Sequence, residues 1–180
     1  MSFNVDCATL PTHIAERCDD PVMGGIPSYA VVDKDATVVG DWDNSTKWLA
    51  DIASGKVKVV NRVKFTLPFP SPQQTDNLVA NGAQQTLDGF DWTVEGVDGN
   101  VSTFNDDFYQ TLNKKNAYLV LWVEDEDQIS VVDKPVTFAA MPTIPNSNRE
   151  KQHYQITAQF SSKKDWFPTR KTAPTGVFEL

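Results

Sequence analysis

The residues able to do chemistry are few. Two histidines, His13 and His153, and two cysteines, Cys7 and Cys18, supply the chain's bases, nucleophiles and soft metal ligands. Nucleophilic catalysis needs a base held beside the nucleophile. His13 lies in a stretch broken by proline and glycine, and His153 lies on the polar face of an alternating segment. No Gly-x-Ser-x-Gly elbow is present to work with either. Gly-x-Gly-x-x-Gly, a phosphate-binding Gly-Lys-Ser/Thr loop and His-Glu-x-x-His are also missing. Cys7 and Cys18 could close a disulfide or share a metal. Their neighbours as ligands are only His13 and acidic residues, a poor set beside recognised zinc spacings, and a cytoplasmic product would keep both as thiols.

Carboxylates are plentiful, but nothing sets Glu95, Asp106 or Glu124 apart from solvated surface acids as a pair for glycoside cleavage. Glu124-Asp125-Glu126-Asp127 offers oxygen ligands for Ca²⁺. It lacks the glycine at the bend and the distal glutamate of an EF-hand, so it reads as an acidic hairpin tip. The five tryptophans could form a sugar-stacking platform. Trp92 and Trp122 fall on apolar strand faces and Trp48 on a helix stripe, so these three are assigned to the core. The chain is therefore not expected to be an enzyme, and no cofactor is expected.

The elements that would position any site centre on Asp88–Glu124. Phe90, Trp92 and Val94 alternate with polar residues as in a half-buried strand. Val97-Asp98-Gly99-Asn100 supplies a turn, and Ser102 or Thr103 can cap a helix whose Phe104, Phe108, Tyr109 and Leu112 share a face. Ala117–Val123 is apolar at every position, the pattern of a strand buried on both faces. Upstream, Ser28–Val39 suggests a hairpin turning at Asp33-Lys34-Asp35. Trp42–Gly55 suggests a helix capped by Asn44 or Ser45, with Trp48, Leu49 and Ile52 facing inward.

Lys56–Leu67 reads as a strand, with Val57, Val59, Val63, Phe65 and Leu67 on one face and Lys56, Lys58, Arg62 and Lys64 on the other. Pro68–Ala83 opens with three prolines and shows no amphipathic period, which predicts a long loop suited to a protein contact. Downstream, Gln128–Val132 and Pro135–Met141 suggest two strand pieces bent at Asp133-Lys134. Lys151–Ser161 alternates with Tyr154, Ile156, Ala158 and Phe160 inward. The expected fold is mainly β (α+β), an antiparallel sandwich or barrel of about six strands with one flanking amphipathic helix. It forms a single domain over 1–180: an N-terminal arm (1–41), a β core (42–162) with helices near 44–54 and 103–115, and a C-terminal arm (163–180).

A chain of 180 residues with net charge −8 and pI near 4.6 is large enough to bury a core unaided. The charge disfavours ordinary nucleic-acid binding, which needs cations to neutralise phosphates. No apolar run approaches a membrane span, and no secretory signal is expected from the first residues.

A flank helix inserted between two sheet strands, an amide-rich loop after an early strand and extended arms at both ends resemble the tail tube proteins of tailed bacteriophages. Phe90–Val123 followed by strands to Phe160 is similar to the C-terminal half of small virion proteins of such phages. The Cys7…Cys18 region with Gly24-Gly25-Ile26 looks like the start of some of them. The resemblance implies a structural subunit that joins copies of itself into stacked rings, touches other virion proteins, and passes DNA through an acidic lumen without specific binding. It implies a location in the virion, after assembly in the host cytoplasm, and no membrane partner. A tail terminator, connector ring or capsid-associated protein fits the same pattern. A monomeric carbohydrate- or protein-binding module using exposed aromatics such as Trp42 or Trp166 is the alternative outside that class. Under the tube reading, contacts between copies are expected from the loop (Phe69, Pro70, Gln73, Gln74, Leu78, Val79) and from the C-terminal arm (Trp166, Phe167, Phe178). A tube's inner wall is generally acidic, so the basic row at Lys56–Lys64 is expected outside or at a subunit contact.

Overall fold

The computed structural model describes residues 26–79, 82–123, 127–146 and 151–178. Cys7, Cys18 and His13 lie outside them, as does most of the expected N-terminal arm. The described residues form nine strands and two helices, more strands than the sequence pattern suggests. Six of the strands close an antiparallel barrel. Its order is β1 (Ile26–Val32), β2 (Val57–Thr66), β4 (Gly82–Asp98), β8 (His153–Lys163), β7 (Val136–Thr143) and β5 (Asn116–Val123), with β5 pairing back onto β1. β6 (Gln128–Val131) adds to β5 outside the barrel and carries β9 (Thr169–Thr172) on its far edge.

The apolar run in β5 is buried on both faces because it separates two cores. Ala117, Leu119 and Leu121 point into the barrel with Tyr29, Val94, Phe138 and Ile156. Val120 and Trp122 point outward, into a second core with Ala30, Val32, Ile129 and Val131. Helix α1 (Ser45–Ala53) covers that outer core. Asn44 caps it by accepting from the Lys47 amide at 3.2 Å. Trp48 is its anchor, fully buried against Trp42 and Phe178. Leu49, expected on the inner stripe, is half exposed. The expected hairpin over Ser28–Val39 does not form. β1 finds its partners in β2 and β5, and residues 33–40 turn toward α1, held by Asp51, which accepts from the Val38 amide at 2.9 Å and the Thr37 hydroxyl at 3.0 Å.

β2 corrects the expected faces. Val57 and Val59 pack in the outer core, whereas Val60, Val63, Phe65 and Leu67 pack in the barrel. The register with β1 shifts between Ser28 and Ile26, so a bulge switches which residues face inward. Lys58, opposite Val31, and Lys64, opposite Val97, consequently stand on opposite faces, and the basic row is not one surface. Phe65 lies across from Gly96, and a Cβ there would meet its ring at 2.1 Å. The glycine makes room for the aromatic side chain.

The other large correction concerns the expected loop. Ser71–Val79 is a strand, β3, paired along its length with the first half of β4. Its one proline, Pro72, does not forbid it, because among the described residues β3 has a strand neighbour on one side only, and an edge strand tolerates a missing N–H. β6 and β7, read as one bent pair, lie on different layers: β6 outside the barrel, β7 within it. The last stretch is docked rather than extended. β9 pairs with β6, and Ala173, Val177 and Phe178 are buried in the outer core.

Both ends of the barrel are filled. Helix α2 (Thr103–Leu112), capped by Ser102, inserts Tyr109 and Leu112 at one end. Asn113 follows it and exchanges two bonds with the Ala140 backbone, at 2.8 and 2.7 Å, where β7 has no second strand neighbour among the described residues. At the other end Trp92 stacks on Phe160, their planes 7° apart, and Trp166 sits edge-on to both.

Candidate functional site

The β3–β4 hairpin follows from strand lengths. β4 is 17 residues long, but its pairing with β8 begins only at Gly89. From Gly82 to Asp88 its sole neighbour among the described residues is β3, so the ladder Gln74–Val79 against Gly82–Leu87 projects beyond the barrel. Its sequence carries amides and no period of apolar residues. Its base is fastened by polar pairs: Thr75 Oγ1 donates to Asp88, Gln73 Nε2 donates to Asp91 at 2.7 Å, and Ser161 Oγ donates to Asp91 at 2.6 Å. The last two bonds hold the Asp91 carboxyl below its usual range, the Ser161 bond contributing most.

The residues expected at subunit contacts divide accordingly. Phe69, before the ribbon, is 87 % exposed and sits T-shaped to Phe90, ring centroids 6.4 Å apart. Pro70 is buried and Gln74 exposed, while Gln73 is half-buried and engaged with Asp91. Leu78 and Val79 belong to the projecting ladder, opposite Ala83 and Gly82. Phe167 is 77 % exposed beside Trp166, which is half-buried with Lys134 above its ring at 5.0 Å. Phe178 does not belong with them, because its ring is enclosed by Trp48 and Trp122. Trp42 is likewise buried, against Trp48 and Tyr118, and offers no exposed platform.

A second feature was not read from the sequence. β4 stops pairing with β2 at Val97, so among the described residues the early part of β2 has no strand on that side, and α2 borders the gap. Between them lies a pocket of about 370 Å³ with Lys58, Asn61, Asp98, Asn100 and Phe108 among its lining. Behind it runs a buried polar chain. Tyr29 and Tyr109 hydroxyls are 3.2 Å apart, and Tyr109 donates to Asp98 Oδ2 at 2.7 Å. Asp98 Oδ1 accepts the Asn100 amide at 2.8 Å, and Tyr154 donates to Asp106 at 2.6 Å. Burial raises the Tyr29 and Tyr109 phenols far above their ordinary value, and burial aided by the Asp106 bond pushes Tyr154 up to about 12. Protonated phenols of this kind donate hydrogen bonds and do not serve as bases near neutral pH. The only signal for this chain in the sequence was the spacing of Asp98, Asp106 and Tyr109 around a turn, which an ordinary helix cap also produces.

His153 stands at the start of β8, its Nδ1 3.2 Å from the Lys151 carbonyl. Among the described residues no three His, Cys, Asp or Glu side chains converge as a metal site, and no helix is long and apolar enough to cross a membrane. Comparison with protein-family models, curated proteins and solved structures finds no match for the chain.

Proposed function

We propose that this chain is a structural subunit of a tailed-bacteriophage virion, a tail-tube protein that joins copies of itself into stacked rings. The observation that carries the reading is the projecting hairpin on a barrel whose own core is complete. A two-stranded ribbon whose outer edges have no strand partner among the described residues is a template for pairing with another chain, and soluble monomers usually blunt such edges. Here β3 is long and carries no lysine. A neighbouring copy that pairs with it removes the liability and gains backbone hydrogen bonds in the same step. In this reading the ribbon meets a different surface of the next copy, a heterologous contact, and such contacts close into rings or extend without limit. The net charge of −8 suits a channel wall that repels phosphates. The test is negative-stain microscopy with sedimentation velocity over a concentration series. Rings or tubes are expected. A species that stays monomeric at the highest attainable concentration removes the reading.

The 370 Å³ pocket, with its amides, carboxylate and aromatic wall, favours one second reading, a module that binds a small polar ligand such as a sugar. Saturable fluorescence changes with a glycan panel, from a protein that does not assemble, would select it.

A further inference from the structure

β2 is open along part of one edge. The Asp33 N–H donates to the Lys56 carbonyl at 2.9 Å, so Lys56 turns its backbone carbonyl toward β1. Antiparallel pairing alternates this direction residue by residue. Lys58 and Val60 therefore turn toward β1 as well, and Val59 turns away from it. On that other side β4 pairs only with Lys64, Phe65 and Thr66. Among the described residues the Val59 N–H and C=O have no strand to meet, and Val59 lines the pocket of about 370 Å³. Helix α2 forms the opposite wall, where Asn105, Phe108 and Leu112, three and four residues apart, share one helix face. Phe108 and Lys58 also line a second cavity, of about 170 Å³, whose other apolar lining is Val31, Leu112 and Ala117. The two cavities adjoin and make one groove along β2 from Asn61 to Lys56, five steps of about 3.3 Å, or about 17 Å.

Charge is uneven along this groove. Its Lys56 end carries Lys56, Lys58 and Lys115 with one acid, Asp33. Lys115 follows the C-terminus of α2, where a cation offsets the helix dipole. Lys58 has no such role, and neither lysine enters an ion pair among the described residues. At the Asn61 end, Asn100 and Asn105 stand beside Asp98, whose carboxylate already accepts from Tyr109 and from the Asn100 amide.

We propose that the groove binds an extended acidic segment of a partner protein by strand addition. The segment pairs with Val59 through backbone bonds, seats one apolar side chain in the smaller cavity and sets its carboxylates among the lysines. The smaller cavity, about 170 Å³, suits one such side chain, since an apolar cavity of about 150 Å³ holds a benzene molecule. The occupant is a single strand. A strand bonded to β2 has α2 along its other edge, so the hairpin of a second copy, two strands wide, does not enter. The site is separate from the assembly contact assigned to β3 and stands without it.

Fluorescence anisotropy tests the site, with the peptide Thr-Val-Phe-Asp-Glu, dye-labelled at its N-terminus and amidated at its C-terminus, titrated with the dilute full chain. A saturable rise is expected. The same peptide with Asn and Gln in place of its acids is expected to bind about tenfold more weakly at low salt, the gap closing at high salt. N-methylation reports the backbone bonds, because only alternate amides of an added strand face its neighbour. Methylating one alternate set is expected to abolish binding, and methylating the other to leave it near the parent value. Lys58→Gln with Lys115→Gln is expected to erase the preference for the acidic peptide, and Thr111→Trp to block the groove; all three positions are exposed. Circular dichroism establishes that the variants are folded. Absence of saturation, the same response to both methylated sets, or a preference for acid that survives the lysine changes overturns the proposal. Saturation by a glycan panel in place of the peptide overturns it too and gives the larger pocket to a sugar. A chain that binds the peptide and never assembles removes the tube reading alone.

Discussion

The Tyr109 hydroxyl donates to Asp98 Oδ2 at 2.7 Å and thereby fastens the helix that plugs the barrel to the last residue of its longest strand. Both groups are buried, and Tyr109 also serves the Tyr29 hydroxyl. Tyr109→Phe leaves an Asp98 oxygen and the Tyr29 hydroxyl short of a partner in the interior. The expected cost is about 1–3 kcal/mol, read from the urea midpoint at neutral pH. An unchanged midpoint would mean that water already serves both groups.

The same cluster sets an alkaline limit. Burial raises Tyr29 and Tyr109, and burial with the Asp106 bond raises Tyr154 to about 12, all from an ordinary value of 10.0. A phenol with a raised folded-state pKa contributes its full stability below the unfolded value and loses it as pH rises through the folded one. Urea midpoints are expected to fall from pH 10 upward, and phenolate absorbance from these rings to appear together with unfolding. Phenolate forming gradually in a protein with native circular dichroism would contradict the arrangement.

The ribbon can be removed without touching the barrel. Replacing Gln74–Asp88 by a two-residue Asn-Gly turn leaves Gln73 opposite Gly89, where β4 begins to pair with β8. Thermal stability is expected to change little, because shortening a hairpin outside the barrel alters closure entropy by about 1 kcal/mol or less. Assembly is expected to be lost. Rings that form from the truncated chain would take the hairpin out of the contact.

Phe69 and Phe178 separate assembly from folding. Phe69→Ala removes a ring that is 87 % exposed, so monomer stability should stay within about 0.5 kcal/mol while self-association weakens. Phe178→Ala empties a site between Trp48 and Trp122 and should cost about 3–5 kcal/mol in the urea midpoint of the dilute monomer. The opposite ranking would place Phe178 at a subunit contact after all.

Gly96→Ala sets a methyl group against the Phe65 ring, 2.1 Å from where its Cβ would stand. The ring is buried and hemmed in by Tyr29 at 4.5 Å between centroids. A loss of about 1–3 kcal/mol is expected from overpacking. The companion change Phe65→Leu, combined with Gly96→Ala, should recover part of it.

What could be read in advance was whatever a core imposes on a single stretch of chain. Tyr154, Ile156, Ala158 and Phe160 alternate because one face of β8 meets the barrel interior, and the all-apolar run of β5 records two interiors at once. The hairpin left no such mark, and its prolines argued against a strand that only an edge position permits. The switch of faces in β2 was hidden for a related reason. Val60 and Val63, three residues apart, both pack inside the barrel, and nothing in Asn61-Arg62 between them marks the bulge; only the pairing of Ser28 with Asn61 and of Ile26 with Phe65 places it. The pocket beside Asp98 arises from strands ending at different heights. That is a property of the register around the whole barrel, which no local pattern encodes.

The two-sided burial of β5 has a bearing on how the molecule comes apart. A layer that peeled away on its own, α1 with the C-terminal residues, would bare Val120 and Trp122 on the back of a wall whose front still holds Leu119 and Leu121. Loosening either side strips contacts from a strand the other side needs. Inner and outer layers should therefore melt together in one transition. A subunit meant to bear load from neighbours would then yield all at once or not at all.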